Sequence, residues 1–285
     1  MSYRGRFAPS PTGALHFGSL VAAVGSWLAA RAAGGTWLVR IEDIDPPREV
    51  PGSAQDILAT LAAFGLEADE PVVYQSRRAA AYSTAFETLQ RQGLVFPCWC
   101  SRADLEPAGG VHRGACVATP DSSRQPAWRV RVPDVEIVFD DAIAGVQTHA
   151  LSADGDFVVR RVEGWYAYQL AVVVDDAFQG ISDVVRGADL LESTPRQIFL
   201  QRLLGLPTPR YAHLPLVLDA DGRKLSKQDR ALPVERAEPL PALRAALAFL
   251  GLADAGRDCM DASSLLRAAA AHFELGQLRA HAATR

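Results

Sequence analysis

YRGRFAPSPTGALHFGSLVAAVGSWLAARAAGGTWLVRIEDID, residues 3 to 45, decides the fold. YRGRFAP predicts a short strand. GSLVAAVGSWLAARAA follows with Leu20, Val24, Trp27 and Leu28 at helical spacing, and Gly34-Gly35 stops it. TWLVRIEDID predicts a second strand, with Trp37, Val39 and Ile41 in alternation. Strand, helix and strand over so short a span make a βαβ unit, which implies parallel pairing and a right-handed crossover. Phosphates favour such strand-to-helix junctions, because a helix N-terminus offers unpaired N–H groups and partial positive charge. In PSPTGALHFGSL the glycines Gly13 and Gly18 permit close approach, and His16 could donate to a phosphate. The plainer reading of the same stretch is a Pro/Gly turn with His16 as a surface cap.

Outward from that unit, Ser53 is expected to cap a helix running to about Phe64, and a further helix spans about Arg77 to Gln92. From Pro97 to about Asp156 the chain is turn-rich, with strands at WRVRVP and VEIVFDD. This stretch has the character of an insertion between two halves of an α/β domain. The second half resumes with the apolar run YQLAVVVDDAF. The helix STPRQIFLQRLLGL follows, with Thr194 as cap and Pro195 in its first turn. HLPLVLDADGRKLSK reads as a strand entering a loop, and short helices close the chain from Pro239. The expected divisions are 1–96 and 161–238 for the two catalytic halves, 97–160 for the insertion and 239–285 for a helical C-terminal subdomain.

The bulk properties narrow the function. The 285 residues suffice for one large domain or two modest ones. A net charge of −4 argues against a dominant nucleic-acid footprint. It leaves room for local basic faces such as Arg124, Arg129 and Arg131, or Arg160 and Arg161. No run of 18 apolar residues is present, so no membrane span is expected, and the first residues lack the apolar core of a signal peptide. A cytoplasmic chain with reduced thiols follows as an expectation. CWCSRADLEPAGGVHRGAC then supplies Cys98, Cys100, His112 and Cys116, a donor set suited to tetrahedral zinc. The Cys-x-Cys pair is tighter than the usual Cys-x₂-Cys, and reduced core thiols beside a surface histidine are the alternative. Cys259 stands apart and is expected to be buried.

GRKLSKQD, residues 222 to 229, holds the chain's only two lysines, Lys224 and Lys227; every other Lys/Arg position is arginine. An ammonium is a compact point charge on a flexible stem, whereas guanidinium is a planar fork. A loop that closes on a triphosphate and releases pyrophosphate suits the former. A solvated basic turn is the plainer alternative.

Taken together, PSPTGALHFG and KLSKQ resemble the two signatures of class I aminoacyl-tRNA synthetases, and RFAPSPTGALHFG with RIEDID is most similar to the glutamyl branch. The expected fold is therefore α/β: a Rossmann-type parallel-sheet class I synthetase catalytic domain with a zinc-containing insertion and a short helical C-terminal extension. The chain is shorter than a full glutamyl-tRNA synthetase, without room for the anticodon-binding region that follows the catalytic domain there. Together with its cysteine cluster it resembles the glutamyl-Q tRNA(Asp) synthetase family. In that family glutamate is activated with ATP and transferred to the queuosine base of tRNA(Asp). Phe17, Ser19 and Gln228 depart from commoner class I signature residues, while His16 and Lys227 are intact.

The resemblance implies roles residue by residue. His16 and Lys227 are the catalytic pair. Pro11, Thr12, Gly13, His16, Gly18, Lys224, Ser226 and Lys227 bind ATP, taken with Mg. Glutamate falls to Arg6, Ala8, Ser10, Glu42, Tyr168 and Arg186. Arg6 pairs with a substrate carboxylate through a bidentate fork, and Glu42 takes the α-ammonium. By strand alternation, and apart from the resemblance, Asp43 and Asp45 are expected to be turn residues or solvated. Cys98, Cys100, His112 and Cys116 hold structural Zn, with His112 where some relatives have tyrosine. The partners implied are queuosine-containing tRNA(Asp), L-glutamate and ATP, with no membrane, and the chain acts as a monomer. Two alternatives stay open: a truncated glutamyl-tRNA synthetase charging a 3′ end, and an inactive synthetase-like RNA-binding module.

Overall fold

The computed structural model describes residues 2–217 and 234–282, the side chains of 279–282 excepted. GRKLSKQD, with Lys224, Ser226 and Lys227, lies outside the described residues.

β1 (Arg4–Phe7), α1 (Phe17–Ala32) and β2 (Thr36–Ile41) form the expected unit. β1 and β2 pair in parallel, with Arg6 opposite Leu38. Gly34 ends α1 at φ 61°, where a side chain would be strained. The expected alternation in β2 does not hold: after Thr36 every residue to Ile41 is buried, Arg40 included. Helices cover both faces of a parallel sheet, so its strands need no polar side. α2 (Ser53–Ala63) leads to β3 (Val73–Tyr74), which pairs in parallel with β2. Ser53 is not the cap of α2. Gly52 holds that place at φ 81°, and the Ser53 hydroxyl instead donates to Gly13 O (2.7 Å) and accepts from Gly13 N (3.0 Å).

α3 (Ala79–Arg91), β4 (Val95–Cys98) and the short α4 (Arg102–Leu105) come next, followed by β5 (Ala127–Val130), β6 (Glu136–Asp141), β7 (Gly145–Ala150) and β8 (Phe157–Arg160). The order β4-β5-β8 is a separate antiparallel sheet. β6 and β7 form a hairpin whose β6 pairs in parallel with β10 (Arg210–Leu214). α5 (Tyr168–Phe178), β9 (Asp183–Gly187) and α6 (Thr194–Leu204) complete the second half, giving a sheet of order β7-β6-β10-β9. Thr194 does not cap α6; Ser193 occupies that place without a side-chain bond, and the Thr194 hydroxyl is engaged elsewhere.

The two sheets meet where β1 lies beside β9. Ser182 N–H donates to Arg4 O (3.0 Å), and Arg4 N–H to Ser182 Oγ (2.8 Å). Chain order reverses at this junction, and ligands of open α/β sheets bind outside the carboxyl ends of the strands at such a switch point. α1 packs tightly over it: a Cβ on Gly25 would lie 2.7 Å from Leu214 Cδ1 of β10. α7 (Pro239–Phe249), α8 (Ala262–Ala270) and α9 (Leu275–Ala282) follow. Their Leu243, Leu247, Leu265 and Leu266 share one core with Leu20, Val24 and Leu28 of α1. Cys259 is half-buried and not fully enclosed. Among the described residues no helix is long and apolar enough to cross a membrane.

Candidate functional site

The strand ends at the switch point open into a cavity of about 890 Å³, ample for a nucleotide-sized ligand. It brings together Arg6, Ala8, Ser10, Thr12, His16, Gly18, Glu42, Tyr168 and Arg186 from four separate parts of the chain. Pro11 and Gly13 stand behind that wall: Pro11 O accepts from Val50 N–H (2.9 Å), and Gly13 is held by Ser53.

His16 does cap α1. Its Nδ1 accepts from Ser19 N–H (3.2 Å), satisfying one of the orphan donors of the first turn. In a neutral ring the proton therefore sits on Nε2, 2.9 Å from Ser19 Oγ. The cap thus uses Nδ1, and the Nε2 side of the ring faces the Ser19 hydroxyl.

Arg6, the third residue of β1, is buried, and it already has a partner. Its Nε and Nη2 donate to Asp176 Oδ1 (3.1 Å) and Oδ2 (3.3 Å) of α5. Arg40, fully buried, donates through Nη1 to the same Oδ1 (2.8 Å) and to Gln179 (2.8 Å), and through Nη2 to Glu42 Oε1 (3.2 Å). Two cations and two carboxylates thus share one dry cluster, in which each charge depends on the others. Burial works against the Asp176 charge, yet Arg6 and Arg40 hold its carboxyl below the usual range. Glu42 goes the other way: burial pushes it up despite Arg40 and Arg6. A carboxylate so placed gains from a cationic ligand group. The bidentate edge of Arg6 is committed to Asp176, so a substrate carboxylate would meet Arg6 at its outer end.

Arg186 closes the opposite wall. Its Nε donates to His213 Nε2 (3.0 Å) and its Nη2 to Thr194 Oγ1 (2.8 Å) and Leu190 O (3.3 Å). Its Nη1 is buried with no partner among the described residues, a costly state for a cationic donor unless a ligand supplies the acceptor. Tyr168, the first residue of α5, has its hydroxyl pKa raised by burial, so it is a neutral donor. Asp43 and Asp45 lie in irregular backbone after β2, and Asp45 also lines the cavity. Asp43 accepts from Ser76 N (2.9 Å), and Asp45 from Arg161 Nη1 (3.2 Å).

Sequence reasoning missed Arg40, Asp176, His213 and Asp141. A signal was present for some of them: ionisable residues inside the apolar runs WLVRI and AVVVDDAF cannot stay unpaired when buried.

The insertion gathers Cys98, Cys100, His112 and Cys116, whose ligand atoms all lie within 4.8 Å of one another. Four donors that close suit a tetrahedral ion, and this set could hold one. His112 Nδ1 is bound to Asp156 Oδ2 (2.9 Å), while its Nε2 is buried without a partner among the described residues. The support is tight, since Gly155 has φ 63° and a Cβ there would lie 2.4 Å from His112 O. Burial opposes ionisation of Cys100, yet the Ala118 N–H and the Cys98 thiol hold its pKa below the ordinary thiol value.

The sequence matches the family described as tRNA synthetases class I (E and Q), catalytic domain, over residues 2–269. A protein of Xanthomonas campestris named glutamyl-Q tRNA(Asp) synthetase is 58% identical over 276 residues, 96% of this chain and 92% of its own length. One of the same name from Burkholderia cenocepacia is 58% identical over 267 residues, 89% of this chain and 90% of its own. A solved glutamate tRNA ligase from Elizabethkingia meningosepticum, in complex with its amino acid, superposes with a TM-score of 0.77 at 26% identity. The match covers 97% of this chain and 65% of that one, so the chain spans just under two thirds of that ligase's length. The chain belongs to the class I tRNA synthetases (E and Q), and within them to the glutamyl-Q tRNA(Asp) synthetase family.

Proposed function

We propose that this chain joins L-glutamate to ATP as glutamyl-adenylate and passes the glutamyl group to the queuosine base of tRNA(Asp). The observation that carries the reading is the convergence, at the switch-point strand ends, of buried Glu42 with two buried arginines, one of them with an unpartnered N–H. Glutamate has one ammonium and two carboxylates, and this wall offers both signs. Relatives 58% identical to it over the aligned residues carry the corresponding name.

Glu42 binds the α-ammonium, Arg6 and Arg186 bind carboxylates, and Tyr168, Ala8 and Ser10 shape the pocket. One α-carboxylate oxygen attacks the α-phosphorus of ATP, the bond to the β-phosphate oxygen breaks, and pyrophosphate leaves with the electron pair. Positioning and charge stabilisation carry such a step. The His16 Nε2–H and the amides at the start of α1, near Thr12, Gly13 and Gly18, meet the phosphates, which arrive with Mg. Lys224, Ser226 and Lys227 take the other side by sequence pattern alone. An oxygen of the queuosine base then attacks the glutamyl carbonyl, and AMP leaves. Cys98, Cys100, His112 and Cys116 would hold a structural zinc, whose role would be to tie the insertion together and not to act on substrate. The divisions 1–96, 97–160, 161–238 and 239–285 belong to this proposal, with the first boundary falling inside β4 and β6 of the insertion pairing with β10 of the second half.

The test is pyrophosphate exchange into ATP without any RNA. Glutamate-dependent exchange is expected. Exchange that appears only when tRNA is added would favour charging of a 3′ end, and no exchange at all would refute glutamate activation.

A further inference from the structure

Arg186 and His213 face each other by strand register. β9 and β10 run parallel, and their pairing sets Arg186 directly beside His213. An arginine is always protonated, so its Nε can only donate. The His213 Nε2 at 3.0 Å must therefore present a lone pair, and the neutral ring carries its proton on Nδ1. That proton has a partner: Nδ1 donates to Asp141 Oδ2 at 2.6 Å. Asp141 is itself pinned, because its Oδ1 accepts from the backbone N–H groups of Ile143 (3.0 Å), Ala144 (2.8 Å) and His213 (3.2 Å). A second clamp comes from α6. Thr194 Oγ1 accepts from Arg186 Nη2 at 2.8 Å, which is why this threonine does not cap its helix.

Two edges of the guanidinium are thus tied to the protein, and Nη1 is left as the buried donor without a partner among the described residues. Asp141, His213, Arg186 and Thr194 are all at most 5% exposed, so the chain of bonds is shielded from competing water. Burial and the Arg186 charge depress the His213 pKa, which favours the neutral ring that the geometry requires.

We infer that Asp141, His213 and Thr194 are positioning residues that fix the Arg186 guanidinium so that its free Nη1–H meets a carboxylate of the amino-acid substrate. This rests on the reading above that Arg186 binds glutamate. A donor held in advance spends no ordering entropy when the substrate arrives, and a displacement of about 1 Å at such a group weakens binding strongly.

Pyrophosphate exchange measured against glutamate and against ATP separates positioning from general damage. His213→Ala is expected to raise the glutamate KM about 10- to 100-fold, as for loss of one charged hydrogen bond, with the ATP KM within about twofold. His213→Gln restores an acceptor near Nε2 and is expected to recover most of that loss. Thr194→Val, nearly isosteric, guards against a His213→Ala protein that fails to fold, and should raise the glutamate KM alone. A folded His213→Ala or Thr194→Val enzyme with an unchanged glutamate KM would overturn the inference, as would parallel rises in both KM values. Wild-type protein that shows no glutamate-dependent exchange would sink the functional reading and this inference together.

Discussion

Replacing Asp176 by asparagine keeps the shape of the side chain and removes the anion that two buried arginines share. Asp176 accepts from Arg6 at 3.1 and 3.3 Å and from Arg40 at 2.8 Å, and the side chains of all three are at most 7% exposed. Removing one partner of such a cluster leaves uncompensated buried charge and costs about 3–5 kcal/mol. A stability of about 5–15 kcal/mol is typical of a folded chain, so the loss is a large share of the whole. At about 2–4 °C per kcal/mol for chains of roughly this size, melting should fall by about 10 °C. Urea unfolding followed by circular dichroism near neutral pH reads the change directly. The pH dependence carries a sign. The Asp176 pKa is lowered on folding from its usual 3.8, so its contribution is fully present above that value and is lost as pH falls through the lower folded value. Wild type and Asp176→Asn should therefore differ most near neutrality and converge in strong acid. An Asp176→Asn protein within about 1 kcal/mol of wild type at neutral pH, with the same denaturant slope, would refute the reasoning.

Three further outcomes are expected. Purified protein should contain close to one zinc per chain, and its removal by chelator should unfold the insertion, seen as loss of the near-UV signal of Trp99; well under one zinc per chain would remove the structural-metal reading. Asp156→Asn should weaken zinc retention about 10- to 100-fold in a chelator competition, because the Asp156 carboxylate orients His112 with Nε2 toward the cysteines; unchanged retention would show the contact to be incidental. Lys227→Arg keeps the charge but should impair adenylate formation at least tenfold, since a planar fork replaces a point donor; near-normal exchange would mean that some other demand preserves this lysine.

Local signals made the first βαβ unit legible: helical spacing in α1, the Gly34 stop and the strand before RIEDID. The metal cluster was legible because donor chemistry shows in residue types, whatever the fold. The buried partners of the charged wall were not. Arg6 and Arg40 meet Asp176 across 170 and 136 residues, and His213 meets Asp141 across 72, so no window along the chain contains either pair. Period-2 alternation failed in β2 because α-helices cover both of its faces. Ser53 and Thr194 carry the composition of caps, but tertiary partners claimed both hydroxyls, Gly13 for one and Arg186 for the other. VEIVFDD lies in the turn-rich middle of the sequence, yet its parallel partner is β10, about 70 residues on, and pairing at that separation leaves no local trace.

The proposed acceptor of glutamate is the queuosine base and not the 3′ terminus. Labelled glutamate, ATP and the protein should be incubated with tRNA(Asp) lacking its terminal adenosine, in one preparation containing queuosine and in another without it. Stable label on the queuosine-containing RNA alone is the predicted result. Label that requires the intact 3′ end, or that appears equally without queuosine, would contradict it.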